Sequence, residues 1–135
     1  MPLISWSNDL SVSIRSIDDQ HKKLVSLVNN LHEAMSAGQG QQIMGNILDE
    51  LVEYTKSHFA IEERLMTANS YPGYLIHKKE HDKLTQQVLD IHREFKSGKP
   101  VITIVVMNFL KDWLSQHIKG SDKRYSPFLI GKGVS

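Results

Sequence analysis

The residues from His58 to His81, HFAIEERLMTANSYPGYLIHKKEH, limit the folds open to this chain more than any other stretch. The stretch begins with His58 and Glu62, four apart, and closes with His77 and His81, again four apart. Residues at that spacing on a helix lie about 40° from eclipsed, so each pair shares a face. Between the pairs sits SYPG, whose serine, proline and glycine all favour a turn. The pattern predicts two antiparallel helices, each turning two metal-competent side chains toward the other.

The rest of the chain extends this pattern. Asp18 reads as a helix N-cap, and His21, Leu24, Val28, Leu31 and Met35 follow at alternating spacings of three and four until Gly38 and Gly40. A second helix is predicted from about Gln41 to Met66, with Ile47, Leu51, Tyr54, His58, Ile61 and Leu65 on its inner face. Pro72 can open a third, carrying Tyr74, His77, His81, Leu84, Val88, Ile91 and Phe95 as far as Gly98. After Pro100, VITIVV alone would suit a strand. The longer series Ile102, Val106, Phe109, Trp113 and His117 instead predicts a helix closed by Gly120. The segment before residue 18 reads as an arm anchored by Trp6 and Leu10, and the tail from Ser121 to Ser135 as mostly irregular. The expected fold class is all-α: an up-down-up-down four-helix bundle with an N-terminal arm and a short C-terminal tail, with residues 1–135 forming one domain.

In such a bundle, His21 early in the first helix, His58 and Glu62 late in the second, His77 and His81 early in the third, and His117 and Asp122 late in the fourth all reach the same end. Five imidazoles and two carboxylates exceed what one ion takes, which predicts two metals. Zinc would be satisfied by four donors and leave histidines spare. Nitrogen-rich, carboxylate-bridged ligation points to a non-haem di-iron centre. His117 and Asp122 are five apart, about 140° around a regular helix, so the helix is expected to unwind near Gly120. A lone histidine on an apolar face is usually a core residue; five at one bundle end beside two carboxylates are not read that way. His32 and His92 each lie 11 residues past a proposed ligand, about 16 Å along a helix axis, and read as ordinary polar residues. Met35, Met66 and Met107 read as core filler, and Lys78, Lys79 and Glu80 as a solvated face.

Composition removes several alternatives. The chain has no cysteine, so disulfides, iron–sulfur clusters and thiol catalysis are excluded. Its net charge of +1 is spread without a basic stripe, so no nucleic-acid partner is expected. No apolar run approaches a membrane span, and MPLISWSNDL lacks the features of a signal peptide, which gives a cytoplasmic expectation without membrane insertion.

DDQH ending at His21, HFAIEE from His58, YPGYLIHKKEH from Tyr71 to His81, and WLSQHIKGSD from Trp113 to Asp122 together resemble the hemerythrin family, most closely its small bacterial members, the bacteriohemerythrins. The resemblance implies reversible O2 binding, for storage, delivery or scavenging, at two irons joined by an oxo or hydroxo bridge, rather than an enzyme. On that resemblance His77, His81 and His117 would hold one iron and His21 and His58 the other, with Glu62 and Asp122 bridging both. Counting donors for two octahedral ions then leaves one open position, on the iron of His21 and His58. Leu24, Trp113 and Leu114 are candidates for lining the O2 pocket. Tyr125 resembles a family tyrosine that follows the bridging aspartate, which suits either support of a ligand or simple packing. The same bundle also resembles O2- or redox-sensing domains of bacterial chemotaxis and signalling proteins, where a longer chain would add an output domain. Di-iron oxidases typically use more carboxylates and fewer histidines, which disfavours an enzyme.

Overall fold

In the computed structural model, which describes residues 2–135, every regular element among the described residues is helical. A short 3₁₀ turn at Asn8–Leu10 precedes α1 (Arg15–Ser36), α2 (Gln41–Ala68), α3 (Tyr74–Lys96) and α4 (Ile104–His117). A π turn at Ile118–Asp122 then leads directly into α5 (Lys123–Gly131). α1 packs on α2 and α4, and α2 on α3, so the four long helices form the bundle that the apolar periodicity predicts.

The helix starts differ from expectation. Asp18 does not cap α1, which begins earlier, at Arg15. Its carboxylate instead reaches back to accept the Val12 N–H at 2.8 Å and the Ser11 hydroxyl at 2.6 Å. That pins the arm whose Ile4, Leu10, Val12 and Ile14 are buried, while Trp6 is only half-buried. Pro72 lies in the turn ahead of α3 rather than in its first helical position. Thr103 caps α4 by accepting from the Val106 N–H, so Val101 and Ile102 remain outside the helix. α1 and α3 end on glycines in left-handed conformation, Gly38 (φ 67°) and Gly98 (φ 92°), where other residues would be strained. Gly73 is required for another reason: a Cβ there would lie 2.9 Å from the Tyr71 ring.

The inner face of α2 is rotated from the predicted one. Leu48, Leu51, Val52, Thr55, His58, Phe59, Glu62 and Met66 are buried, whereas Ile47, Tyr54, Ile61 and Leu65 are half-buried. A helix flanked on both sides buries a wide stripe, and a single row of residues marks only its edge. In α4, Phe109 is exposed and Met107 and Leu110 are buried in its stead. Met66 and Met107 fill the core, and Met35 packs at its margin.

The largest departure is beyond His117. Gly120 does not stop the helix, and the tail is not irregular: the chain widens into a π turn and continues as α5, burying Tyr125, Ser126 and Leu129. A π turn closes i→i+5 hydrogen bonds, which brings residues five apart toward one face.

Candidate metal centre

His21, His58, Glu62, His77, His81, His117 and Asp122 meet at one end of the bundle, all at most 4% exposed. α1 supplies His21, α2 His58 and Glu62, α3 His77 and His81, and α4 with its π turn His117 and Asp122. The π turn is what lets the last two converge. His117 Nε2 lies 3.1 Å from Asp122 Oδ1, a contact that their five-residue separation would deny them on a regular helix.

The donor atoms fall into two groups, each within 4.8 Å throughout. One is Glu62, His77, His81, His117 and Asp122; the other is His21, His58, Glu62 and Asp122. Glu62 and Asp122 belong to both. Asp122 Oδ1 is 3.0 Å from His77 Nε2, and its Oδ2 is 3.0 Å from His21 Nε2. Glu62 Oε1 is 3.0 Å from His58 Nε2 and 3.4 Å from His81 Nε2.

Nε2 of all five histidines, together with Glu62 Oε1 and both Asp122 oxygens, is buried without a hydrogen-bond partner. Buried polar atoms are nearly always paired, so so many unpaired donors turned on one point fit a site built for cations. The chemistry of the set agrees: imidazole suits iron, copper, zinc or nickel, and carboxylates add harder oxygen donors.

Behind these atoms lies a second layer of contacts. His58 Nδ1 is 2.6 Å from Gln20 Oε1, His81 Nδ1 3.0 Å from Glu63 Oε2, and His117 Nδ1 2.6 Å from Glu80 Oε1. Glu80 is therefore not part of a purely solvated face. Its other oxygen accepts the Ser121 hydroxyl at 2.5 Å. Lys78, in contrast, pairs outward with Asp82 and Glu63. Tyr125, fully buried, donates its hydroxyl to Glu62 Oε2, and its ring stacks on His77 at 5.3 Å. Phe59 stacks face to face on His81 at 3.9 Å. Gln20, Glu63, Ser121 and Phe59 carry no signal in the apolar pattern, because each sits beside or near a ligand without marking a helical stripe, and the same pattern assigns Glu80 to solvent. Adjacency to a ligand in DDQH, HFAIEE and HKKEH was the available signal.

Electrostatics reflect seven crowded groups. Burial alone would raise Glu62 and Asp122; the surrounding imidazoles outweigh it and hold both carboxyls below the ordinary range. Burial likewise opposes a charge on His117, yet Asp122 and Glu80 lift it to about 10. Glu80 is held at about 2, chiefly by its hydrogen bond from His117.

His32 and His92 are outside the cluster. His92 instead pairs with Asp49 at 2.7 Å. Phe59, Leu84, Trp113, Leu114 and His117 border a narrow apolar space with no room for a water molecule. Leu24 is buried in the core but does not border this space. Among the described residues, no helix is long and apolar enough to cross a membrane.

Comparison with known proteins places this geometry. Residues 12–129 match the family model described as the hemerythrin HHE cation binding domain. The chain is 36% identical over 126 residues to a bacteriohemerythrin of Stenotrophomonas maltophilia, covering 93% of this chain and 81% of that protein. It is 35% identical over 130 residues to a bacteriohemerythrin of Methylococcus capsulatus, covering 96% and 98%. A crystal structure of wild-type hemerythrin superposes with a TM-score of 0.87 at 35% identity, over 94% of this chain and 98% of the other.

Proposed function

The chain belongs to the hemerythrin family, and from that premise we propose that it binds O2 reversibly at a di-iron centre, for storage, delivery or scavenging in the cytoplasm, as one domain and without catalysing a reaction. The observation that carries this reading is the set of five inward-turned Nε2 atoms and three carboxylate oxygens, all buried and unpartnered. His77, His81 and His117 would hold one iron, His21 and His58 the other, and Glu62 and Asp122 would serve both. A pair of ferrous ions bound there supplies the two electrons that reversible O2 uptake requires.

The protein's own residues contribute position and surroundings. Glu62 is oriented from behind by Tyr125, and His58, His81 and His117 by Gln20, Glu63 and Glu80. Such outer contacts fix the ring and tautomer of a ligating histidine. Phe59, Leu84, Trp113 and Leu114 give the site an apolar flank beside His117. A sensory role in a longer signalling protein shares the same site, and nothing in the geometry favours it over O2 binding.

The test is an absorption spectrum. Protein reduced anaerobically should be nearly colourless, gain a visible charge-transfer band on exposure to O2, and bleach when O2 is removed. Irreversible oxidation alone, even in rapid mixing, defeats the carrier reading. An azide complex examines the site itself. The donor count puts the open position on the iron of His21 and His58, whereas the apolar space adjoins His117. Azide end-on at the two-histidine iron supports the count; azide at the three-histidine iron overturns it.

A further inference from the structure

The contacts behind the imidazoles are shared unequally between the two groups. In the three-histidine group, His81 Nδ1 faces Glu63 Oε2 at 3.0 Å and His117 Nδ1 faces Glu80 Oε1 at 2.6 Å. In the two-histidine group, His58 Nδ1 faces the uncharged Gln20 Oε1 at 2.6 Å, and the buried Nδ1 of His21 has no partner. With Nε2 turned to a metal, Nδ1 carries the proton, and His58, His81 and His117 donate it to these partners. A carboxylate acceptor makes the imidazole a more electron-rich ligand, while an amide oxygen does so far less.

Resting on the di-iron reading above, we infer that this outer layer makes the two metals electronically unequal. Glu63 and Glu80 bias the metal held by His77, His81 and His117 toward the ferric state. Gln20, an uncharged acceptor behind His58, leaves the other metal biased toward ferrous; each group also holds one imidazole, His21 or His77, with no hydrogen bond at Nδ1 among the described residues, so those two do not set the groups apart. The two carboxylates are not equivalent levers. Glu63 lies 3.5 Å from Lys78, which offsets part of its charge. Glu80 has no lysine or arginine within ion-pair distance among the described residues and is oriented by Ser121. A one-electron oxidant such as ferricyanide therefore takes its electron first from the three-histidine iron and is reduced to ferrocyanide, with no bond broken. The iron of His21 and His58, where the donor count leaves room for a ligand, stays ferrous longest.

The experiment is an anaerobic spectroelectrochemical titration of iron-loaded wild-type protein and of Glu80→Gln, Glu63→Gln and Gln20→Glu, with iron content and circular dichroism measured in parallel. The wild type should show two separated one-electron steps. Glu80→Gln should raise the lower potential, by about 59 mV for a tenfold loss in the preference for ferric over ferrous. Glu63→Gln should do so by less, and Gln20→Glu should lower the upper potential, so that all three narrow the gap. A purely structural disturbance has no reason to reverse sign between removing a carboxylate on one side and adding one on the other. A single unsplit step in the wild type, unmoved potentials, or shifts of the same sign in Glu80→Gln and Gln20→Glu overturn the inference. Should Glu80→Gln fail to fold, Gln20→Glu decides alone. A wild-type protein that takes up no pair of irons defeats the proposed function along with this inference; two irons with unmoved potentials defeat only the inference.

Discussion

Tyr125→Phe isolates a single hydrogen bond at the heart of the bundle. The Tyr125 hydroxyl donates to Glu62 Oε2. Burial and the nearby carboxylates of Asp122 and Glu62 push the phenol well above its ordinary pKa, so it stays protonated and able to donate. Phenylalanine keeps the ring, its stacking on His77 and its edge contact with Tyr71, and removes one oxygen. A hydrogen bond to a charged acceptor contributes about 1.5–3 kcal/mol. For a chain of this length, the usual unfolding entropy per residue sums to roughly 0.28 kcal/mol per kelvin, so the metal-free variant should melt about 5–11 °C below the wild type. With metals bound, cations share the charge of Glu62, and the loss should fall to less than half. Calorimetry on both forms measures the two differences. A metal-free drop smaller than about 2 °C, or an equal drop with and without metal, would refute the assignment of Tyr125 as the partner that satisfies Glu62.

Three further outcomes are expected. Glu62→Ala should lose iron, whereas His32→Ala and His92→Ala should retain it, because Glu62 belongs to both donor groups and the other two lie outside them; equal iron loss in all three variants, by metal analysis, contradicts the ligand set. Asp18→Ala should cost about 1.5–3 kcal/mol by releasing the Val12 N–H and the Ser11 hydroxyl from a charged acceptor, and hydrogen exchange should show the arm opening first; unchanged protection of residue 12 rules this out. His117 sets a pH dependence of its own: its metal-free value of about 10 lies above the unfolded one, so its contribution to metal-free stability is fully present below about 6.5 and is lost as pH rises through 10. A metal must displace that proton, so ferrous binding at pH 7 should release protons and strengthen with pH, which calorimetry in buffers of different ionisation enthalpy detects.

Much of the bundle was legible in the chain because helices carry their packing in a local code. Apolar residues at spacings of three and four, broken by Gly38, Gly98 and the SYPG turn, mark four long segments, and antiparallel succession alone gathers His21, His58, Glu62, His77, His81, His117 and Asp122 at one end. The same code misplaced Ile47, Tyr54 and Phe109, since a stripe locates a face only to within the width that its neighbours choose to cover. It also misread Gly120 as a stop. A Cβ there would meet nothing within 4 Å, so close packing at that position does not dictate the π turn; the five-residue spacing of His117 and Asp122 marks where the helix deviates, but not that the chain continues helical beyond it.

Legible along the chain are the inventory and its rough convergence: which side chains could hold metals, and that four helices carry them to one place. The second ring of contacts exists only once the helices are packed together. That Glu80 turns from solvent toward His117, that Ser121 holds its other oxygen, that Tyr125 reaches Glu62, and that His58 meets an amide where His81 and His117 meet carboxylates depend on distances across helix seams. Periodicity along one helix says which way a residue faces, but a hydrogen bond between helices needs their separation and relative rotation, and those are set by the packing of the whole core.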